Sequence, residues 1–571
     1  MTAGTEGRRS VFAGIARRLR ESAPRLADWS AMRHNAGRNL LAGLTVAVVA
    51  LPLALGFGIT SGMGAAAGLV TAIVAGVLAA LFGGSNVQVS GPTGAMTVVL
   101  VPIIAEHGAS GVLVVGMMAG LLLVAMSWLR LGQYVRLIPL PVIEGFTIGI
   151  ACIIAIQQLP AALGASTDEE HILAAAVDAF SQWLHTPTWA PLLLTVATVG
   201  LILALSRRRP QMPGALIAVV VTTVVVAVSS ITVTVIGPLP SQIPAPTLPS
   251  ISLDQLSTLW IPAIAVAALA ALESLLSATV ADAMTVGERH DPNRELFGQG
   301  IANIATPLFG GIPATAAIAR TAVNVRNGAT TRLAAVSHSL ILLLVVVSLS
   351  PIVALIPLAA LAGVLIATAI RMIEVSSVRA LLHSTRRDAL VLLITFAATL
   401  ILDLATAVIL GVLIAGILAL RQAARSVDLA PIPVHAHTPD DSTARQHLLD
   451  DQIVAYRIDG PLFFLGAHDT LQVLAEQSQV QVVILRLSHL TALDVTGAAI
   501  LTDTVHGLEA RNIPVLITGL PPRFQPVLES RGLIQHLNQS GRVFPNTPAA
   551  ISHARNLVAK DTGNGARIGD V

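Results

Sequence analysis

Long apolar runs separated by short polar breaks fill the first three quarters of the chain. No Asp, Glu, Lys or Arg occurs from residue 39 to residue 105, and breaks at 61–64 and 83–86 divide this stretch into three parts. A helix needs about 20 apolar residues to cross the hydrocarbon of a bilayer. Continued to residue 425, the pattern predicts fourteen membrane-spanning helices, at 41–60, 65–82, 88–104, 111–129, 140–160, 190–206, 214–236, 260–285, 297–309, 313–327, 332–350, 352–370, 388–402 and 404–421.

Composition leads to the same class. Charged residues make up 12% of the 571 residues, hydrophobic residues make up 54%, and the mean hydropathy is +0.77. A soluble chain of this length would need a charged surface that this composition cannot supply. The net charge of +2 does not favour a nucleic-acid partner, and the single cysteine, Cys152, excludes disulfides and cysteine-based metal sites. These features predict a polytopic membrane protein without a metal or an organic cofactor.

Charge placement predicts the topology. Eight arginines among the first 38 residues indicate a basic segment, 1–38, on the cytoplasmic face, with no signal peptide. Beyond it, alternate loops carry arginines, namely Arg130, Arg136, Arg207, Arg208, Arg209, Arg289, Arg294, Arg326, Arg332, Arg371, Arg379, Arg386, Arg387, Arg421 and Arg425. The other loops contain acidic residues and no arginine; the acidic residues are Glu106, Asp168, Glu169, Glu170, Asp178 and Asp254. The positive-inside rule then predicts that both chain ends are cytoplasmic, in the cell (inner) membrane.

The composition changes after residue 425. Residues 426–451 contain Pro, His and Asp and are predicted to be a linker. Strand-length apolar runs follow at 453–458, 481–487 and 513–518, with a helical pattern at 497–508. Alternation of strands and helices predicts a small soluble α/β domain with a partly parallel sheet over 452–560, followed by a tail, 561–571.

The membrane domain, 39–425, contains an internal repeat. Phe82-Gly83-Gly84 precedes Ser90-Gly91-Pro92-Thr93-Gly94-Ala95, and 227 residues later Phe309-Gly310-Gly311 precedes Ile312-Pro313-Ala314-Thr315-Ala316. Seven predicted spans separate the two copies, so the copies have opposite orientations in the bilayer. Spans interrupted by Gly and Pro at matching positions of inverted halves indicate the midplane site of a transporter.

The two interrupted spans carry the candidate binding residues. A half-helix that begins inside the membrane leaves its first N–H groups without partners and has a positive end, which suits a small anion. The candidate donors are Gly94 and Ala95 in one span and Thr315, Ala316 and Ala317 in the other. Arg320 would add a full positive charge. Close helix packing is the alternative explanation for the small residues.

Glu273 is the candidate coupling residue. No charged residue occurs from 255 to 272, and a carboxylate at such depth is costly and marks an ion or proton pathway. Ser277, one turn later on the same face, is expected to share the coupling ion, H⁺ or Na⁺. A protonated structural carboxyl is the alternative role of Glu273. Glu144 and Asp403 lie near span ends and are expected to be structural.

Several motifs resemble those of the SulP anion transporters, called solute carrier family 26 in animals, which carry a C-terminal STAS domain. The resemblance covers residues 39–555. It rests on Leu51-Pro52-Leu53-Ala54, Val89-Ser90-Gly91-Pro92-Thr93-Gly94, Pro141-Val142-Ile143-Glu144-Gly145-Phe146, Glu273-Ser274-Leu275-Leu276, Val280-Ala281-Asp282, Asn293-Arg294-Glu295-Leu296, Gly298-Gln299-Gly300 and Arg320-Thr321, and in the STAS part on Arg457-Ile458-Asp459-Gly460-Pro461-Leu462-Phe463-Phe464 and Asp494-Val495-Thr496-Gly497.

This resemblance implies seven plus seven inverted spans in a core and a gate domain, a homodimer, and an anion site at Phe57, Thr93, Thr315, Ala316, Ala317 and Arg320. Leu53 stands where many relatives have glutamine. Within the family, the Ser90 to Gly94 motif is most similar to cyanobacterial sodium-dependent bicarbonate transporters. Those have aspartate and threonine at Glu273 and Ser277, whereas proton-coupled members have glutamate at the first position.

The expected function is proton-coupled secondary transport of sulfate or bicarbonate by alternating access, with no enzymatic activity. Sodium-dependent bicarbonate symport, a passive anion channel and a STAS-linked membrane sensor are the alternatives. The resemblance also places Thr496 at a position that is phosphorylated in some STAS proteins. A cap of the following helix is the other role for this threonine, and the one we expect here.

Overall fold

A computed structural model describes residues 32–33, 35–167, 169, 172–209, 212–229, 231–249, 253–285, 289–402, 404–425, 428–432, 452–462 and 480–565. The chain divides into two compact units between Leu413 and Ile414. Most of the predicted N-terminal segment 1–38, residues 433–451 of the predicted linker and the last six residues of the predicted tail lie outside the described residues.

The first half of the membrane unit is built from helices and one short strand. The elements are α1 Ala36–Thr60, α2 Ala65–Phe82, β1 Ser90–Gly91, α3 Gly94–Trp128, α4 Leu140–Gln157, α5 Leu159–Leu163, α6 Ile172–His185, α7 Trp189–Arg208 and α8 Gly214–Val228. Gly108 has φ 66° and ψ −173° and breaks α3. The predicted spans 88–104 and 111–129 are therefore the two arms of this one broken helix.

The second half repeats this pattern. Its elements are α9 Leu253–Thr258, α10 Trp260–Met284, α11 Pro292–Ala305, β2 Thr315–Ala316, α12 Ile318–Arg326, α13 Leu333–Val353, α14 Leu358–Met372, α15 Val375–Ser384, α16 Arg386–Ile401 and α17 Leu404–Arg425. As in the first half, a strand of two residues comes directly before a helix at the interrupted span.

Within the described residues, eight helical stretches are long and apolar enough to cross a membrane. They coincide with nine of the predicted spans, because the broken α3 accounts for two. The predicted spans at 214–236, 297–309, 313–327, 388–402 and 404–421 also contain helices, but these are not among the eight. The fold is thus a helical multi-pass membrane fold, and the count of fourteen crossings stays a prediction.

Glycines allow the helices of the membrane unit to pack closely. A Cβ on Gly68 of α2 would lie 1.9 Å from the carbonyl oxygen of Ala54 in α1, and a Cβ on Gly43 of α1 would lie 2.0 Å from the Ser337 hydroxyl in α13. Such close backbone approach is typical of helix pairs in membranes, where small residues replace the hydrophobic driving force. It brings α1, α2 and α13 together beside β1.

Strands β1 and β2 are buried in the membrane unit. They pair antiparallel, with Ser90 opposite Ala316 and Gly91 opposite Thr315. Each strand leads into the helix that follows it, α3 or α12. The antiparallel pairing means that the two interrupted spans meet head to head, as the inverted repeat predicts.

The second compact unit begins within α17, and beyond residue 425 it is an α/β domain, here called the C-terminal unit. Its elements are β3 Asp428–Ile432, β4 Ile453–Leu462, β5 Val482–Arg486, β6 Leu490–Leu493, α18 Val495–Glu509, β7 Val515–Thr518, α19 Gln525–Glu529, α20 Leu533–Gln539, β8 Val543–Phe544 and α21 Thr547–Gly565. The sheet order is β3-β4-β5-β7-β8, and β6 pairs with β4. Helices cover both faces, since α18 and α20 pack on Val483 and Leu485 while α21 packs on Ile484 and Leu516.

Among the described strands of this sheet β3 alone pairs antiparallel, so the predicted partly parallel sheet is confirmed. The position of β3 differs from the sequence prediction, because it lies in the segment expected to be a linker. Leu429 and Ala430 pair with Ile458 and Arg457 of β4. Pro431 cannot donate a ladder hydrogen bond, so it is tolerated in an edge strand such as β3. Proline is rare in strands, and the sequence therefore did not indicate a strand here.

Candidate functional site

The two strand-to-helix turns are joined by hydrogen bonds to the backbone of Val89. The Ala317 N–H donates to the Val89 carbonyl over 3.0 Å, and the Val89 N–H donates to the Thr321 hydroxyl over 3.1 Å. Helix α3 then begins after Thr93, whose hydroxyl accepts from the Met96 N–H. Helix α12 begins after Ala317, which has no side-chain cap. The helix starts therefore lie beside one another.

One carboxylate connects both turns to α10. The hydroxyls of Thr93 and Thr315 donate to Glu273 Oε2 over 2.8 and 2.6 Å, and the two hydroxyl oxygens are 3.2 Å apart. We call these three side chains the carboxylate bridge. Three oxygens within hydrogen-bonding distance of one another can hold a proton, and oxygen is also the ligand that hard cations prefer.

The predicted residues at the start of α3 lie together. Gly94 and Ala95 are the first two helical residues, so their N–H groups have no acceptor within the helix. A Cβ on Gly94 would lie 3.1 Å from the Phe57 ring and would overlap the end of the Ile154 side chain, so glycine lets both side chains approach the helix start closely. Phe57 thus borders the helix start, as the family resemblance implies, and its role in binding stays a prediction.

The predicted donors on the second turn need correction. The Ala316 N–H donates to the Ser274 hydroxyl over 3.1 Å, and the Ala317 N–H is occupied by Val89. Both groups are therefore already bonded, that of Ala316 to α10 and that of Ala317 to the first turn. The first residues of α12, Ile318 and Ala319, have the N–H groups that lack an acceptor within the helix. Thr315 contributes through its hydroxyl in the carboxylate bridge.

Arg320 lies directly beside the first turn. It is the third residue of α12, its side chain is buried, and its Nη2 donates to the Pro92 carbonyl over 2.9 Å. Its Nη1 lies 2.8 Å from where a Cβ of Gly91 would be and has no hydrogen-bond partner among the described residues. Buried polar groups nearly always have partners, so this free donor is available to an anion.

The Ser277 hydroxyl bonds to α12 and is not part of the carboxylate bridge. It donates to the Thr321 hydroxyl over 3.2 Å, and that it shares a coupling ion with Glu273 stays a prediction. Ser274 lies beside the carboxylate bridge instead, through its bond from Ala316. The difference arises because packing sets the rotation of α10, and residues one turn apart need not reach the same neighbour.

Sequence reasoning missed two buried amides of α11. The side-chain amide of Asn303 makes two bonds to Ala314, accepting from its N–H over 2.7 Å and donating to its carbonyl over 2.9 Å. Gln299 donates to the Ser90 hydroxyl over 2.7 Å. Together they hold the segments before both turns. Their spacing of four residues within a predicted span was the signal that could have identified them.

The remaining predicted residues lie elsewhere. Glu144 is buried and accepts from the Ser377 hydroxyl over 2.6 Å, as a structural carboxylate would, and Leu53 is part of the main hydrophobic cluster. Asp403 lies outside the described residues.

Thr496 does not have the capping role expected of it. Asp494 is the N-cap of α18 and accepts from the Gly497 N–H over 2.6 Å, whereas Thr496 is exposed within the first turn of the helix. The carboxylate two residues earlier has the extended backbone that a cap requires. Whether Thr496 is a phosphorylation site stays a prediction.

Known proteins resemble this chain along nearly its whole length. The model of the sulfate permease family matches residues 37–395 and that of the STAS domain matches 447–550. YvdB of Bacillus subtilis, whose name gives sulfate transport as a provisional activity, is 36% identical over 88% of this chain and 95% of its own. The bicarbonate transporter BicA of Synechocystis is 31% identical over 88% of this chain and 91% of its own.

Solved structures agree with these sequence matches. The transmembrane domain of a cyanobacterial bicarbonate transporter BicA is 35% identical, with a TM-score of 0.61, over 66% of this chain and 98% of its own. SLC26A9 shares the fold at 15% identity, with a TM-score of 0.78, over 99% of this chain and 96% of its own. This chain therefore belongs to the sulfate permease (SulP) family and carries a C-terminal STAS domain.

Proposed function

We propose that this protein is a secondary active transporter of a small inorganic anion, sulfate or bicarbonate. The carboxylate bridge is the observation that carries the proposal, because it places an ionisable group between two helix starts that can bind an anion. The unpartnered Nη1 of Arg320 and the N–H groups of Gly94 and Ala95 supply donors from the same two turns. Membership of a family of transporters also argues against an enzyme.

Proton coupling follows from the chemistry of the carboxylate bridge. Glu273 Oε2 accepts two hydroxyl bonds, from Thr93 and Thr315. A proton on this carboxyl removes its charge and weakens both bonds, since hydrogen bonds to ionised acceptors are the stronger ones. Protonation would thus loosen α10 from both half-helices while an anion is bound. The proton would in this way be coupled to the contacts that hold the two half-helices beside α10, at the interface of the two repeats.

Sodium coupling is the second candidate. The three oxygens of the carboxylate bridge would serve a sodium ion as well as a proton, and a bicarbonate transporter, BicA, is 31% identical to this chain. The longer glutamate and the location of Ser277 away from the bridge favour the proton.

The proposed arrangement is a homodimer in the cell (inner) membrane with the N-terminus and the STAS domain in the cytoplasm. The arginine-bearing loops support this orientation through the positive-inside rule. The dimer rests on the family resemblance. A passive anion channel and a STAS-linked membrane sensor are the alternative functions to active transport.

Uptake of labelled sulfate and bicarbonate into proteoliposomes tests the function. The full-length protein is assayed under a pH gradient without sodium and under a sodium gradient without a pH difference. Protein-free vesicles under the same gradients are the control. Saturable accumulation driven by the pH gradient alone supports proton coupling. Accumulation that needs sodium and ignores pH replaces it with sodium symport, and flux that never exceeds electrochemical equilibrium points to a channel.

A further inference from the structure

Helix α6, between the predicted fifth and sixth spans, has three distinct faces. Four large apolar side chains are exposed on one face, namely Leu173 (61%), Val177 (69%), Phe180 (52%) and Leu184 (58%). At 100° per residue they fall within an arc of about 60°. Ala176 and Ala179 are buried on a second face, where α6 packs against α4 and α5. Asp178, Ser181, Gln182 and His185 form the third, polar face.

This helix does not cross the bilayer. Its 14 residues extend about 21 Å, whereas the hydrocarbon is about 30 Å thick. A crossing would also place its polar face in hydrocarbon, including the Asp178 carboxylate, which accepts from the Gln182 amide of the same helix. A helix with one apolar flank and one polar flank is typical of segments that lie in the plane of the membrane surface.

An aromatic cluster gives the depth of α6. The Trp183 ring lies 6.3 Å from the Phe180 ring and 5.1 Å from the Trp189 ring, and Trp183 Nε1 donates to the Thr188 carbonyl over 3.2 Å. Trp189 is exposed and is the first residue of α7, one of the helices long enough to span the membrane. Tryptophans collect at the membrane–water interface, so this cluster ties the apolar face of α6 to the level at which α7 enters the bilayer.

Charge identifies the side of the membrane. No Lys or Arg occurs from residue 137 to residue 206, and the segment before α6 contains Asp168, Glu169 and Glu170. A surface helix of this composition cannot bind anionic headgroups by charge, so apolar insertion is its source of membrane affinity. The absence of Lys and Arg from residues 137–206 also places α6 on the arginine-free side of the protein.

We propose that α6 lies in the headgroup region of the leaflet on the arginine-free side, with its exposed apolar face against the acyl chains. The bilayer is thus the partner of this surface. Because the buried face of α6 packs on α4 and α5, and its aromatic cluster contacts α7, the helix ties this part of the membrane unit to the surface of that leaflet.

Site-directed spin labelling tests the anchor without relying on transport. Cys152→Ala removes the single native cysteine, and single cysteines then replace Val177 and Phe180 on the apolar face or Ser181 and His185 on the polar face. In proteoliposomes, nitroxides at 177 and 180 should collide more with oxygen than with a water-soluble nickel complex. The matched labels at 181 and 185 should show the reverse. Circular dichroism and gel-filtration profiles verify folding of each variant.

Two results would overturn the proposal. Nickel accessibility that is high and equal at all four positions would mean that α6 is in water. Labels at 177 and 180 that are shielded from both reagents and show spin–spin broadening would mean that a second copy of the chain covers this face. Neither result bears on whether the protein carries anions.

Discussion

The hydroxyl of Thr315 donates to Glu273 Oε2 over 2.6 Å and so joins the second half-helix turn to α10. Thr93 makes the equivalent bond from the first turn. A single carboxylate oxygen therefore contacts both halves of the inverted repeat. In the proposed function, a change in its charge would act on both turns at once.

Glu273→Gln should separate binding from coupling. Glutamine keeps a carbonyl acceptor for the two hydroxyls but cannot release or take up a proton. We expect anion exchange to continue and accumulation driven by a pH gradient to be lost, as measured by uptake into proteoliposomes. Glu106→Gln is the matched control, because this glutamate is largely exposed. A Gln variant that still concentrates anion under a proton gradient alone would exclude Glu273 as the coupling residue.

Thr315→Val should slow transport at least tenfold. Valine keeps the shape of threonine and removes one hydrogen bond to a charged acceptor, a bond of about 1.5–3 kcal/mol. Thr279→Val provides the control, since the Thr279 hydroxyl donates to the Leu275 carbonyl of its own helix. Initial rates of labelled-anion uptake compare the two. Equal rates in both variants would mean that the bridge to the second turn has no part in transport.

Arg320→Ala should largely abolish anion binding while the protein stays folded. The substitution removes a buried guanidinium with one free donor beside the first turn. Arg326→Ala removes an exposed arginine from the same helix and should leave affinity unchanged. Calorimetric titration with sulfate and bicarbonate measures both variants. Wild-type affinity of the Arg320 variant for every anion would contradict its assignment to the site.

Gly68→Ala should lower the melting temperature of the purified protein. The new methyl would overlap the Ala54 carbonyl at 1.9 Å and force α1 and α2 apart, and overpacking of this kind costs about 1–3 kcal/mol. Gly200→Ala in α7 has no neighbour within 4 Å of its new methyl and should not destabilise the protein. Thermal unfolding in detergent distinguishes the two, and a shared melting temperature would disprove the close contact.

Removal of the C-terminal unit should impair assembly or transport rate and leave the order of anion preference intact. Every residue proposed to bind anion lies before residue 426. A deletion of 452–571 would leave β3 without β4, its pairing partner, so a cut after Arg425 is the cleaner variant. Competition among anions for uptake gives the order. A changed order after truncation would show that the C-terminal unit takes part in selectivity.

Much of the architecture was encoded locally. Apolar runs located the helices of the membrane unit, because insertion into a bilayer depends on the hydropathy of each segment by itself. Gly91, Pro92 and Thr93 marked a turn and a helix start, since these residue types favour both. The α/β character of the C-terminal unit followed from alternating strand and helix patterns, although Pro431 concealed the strand β3.

Contacts between distant segments were decided by the tertiary structure alone. Thr93 and Thr315 are 180 and 42 residues from the Glu273 that they share, and no local pattern specifies that Ser274 faces the second turn while Ser277 faces Thr321. Likewise, apolar residues in α6 alone do not reveal that four of them are exposed. The physical reason is that helix rotation and depth result from the packing of the whole bundle, in which many weak contacts act together.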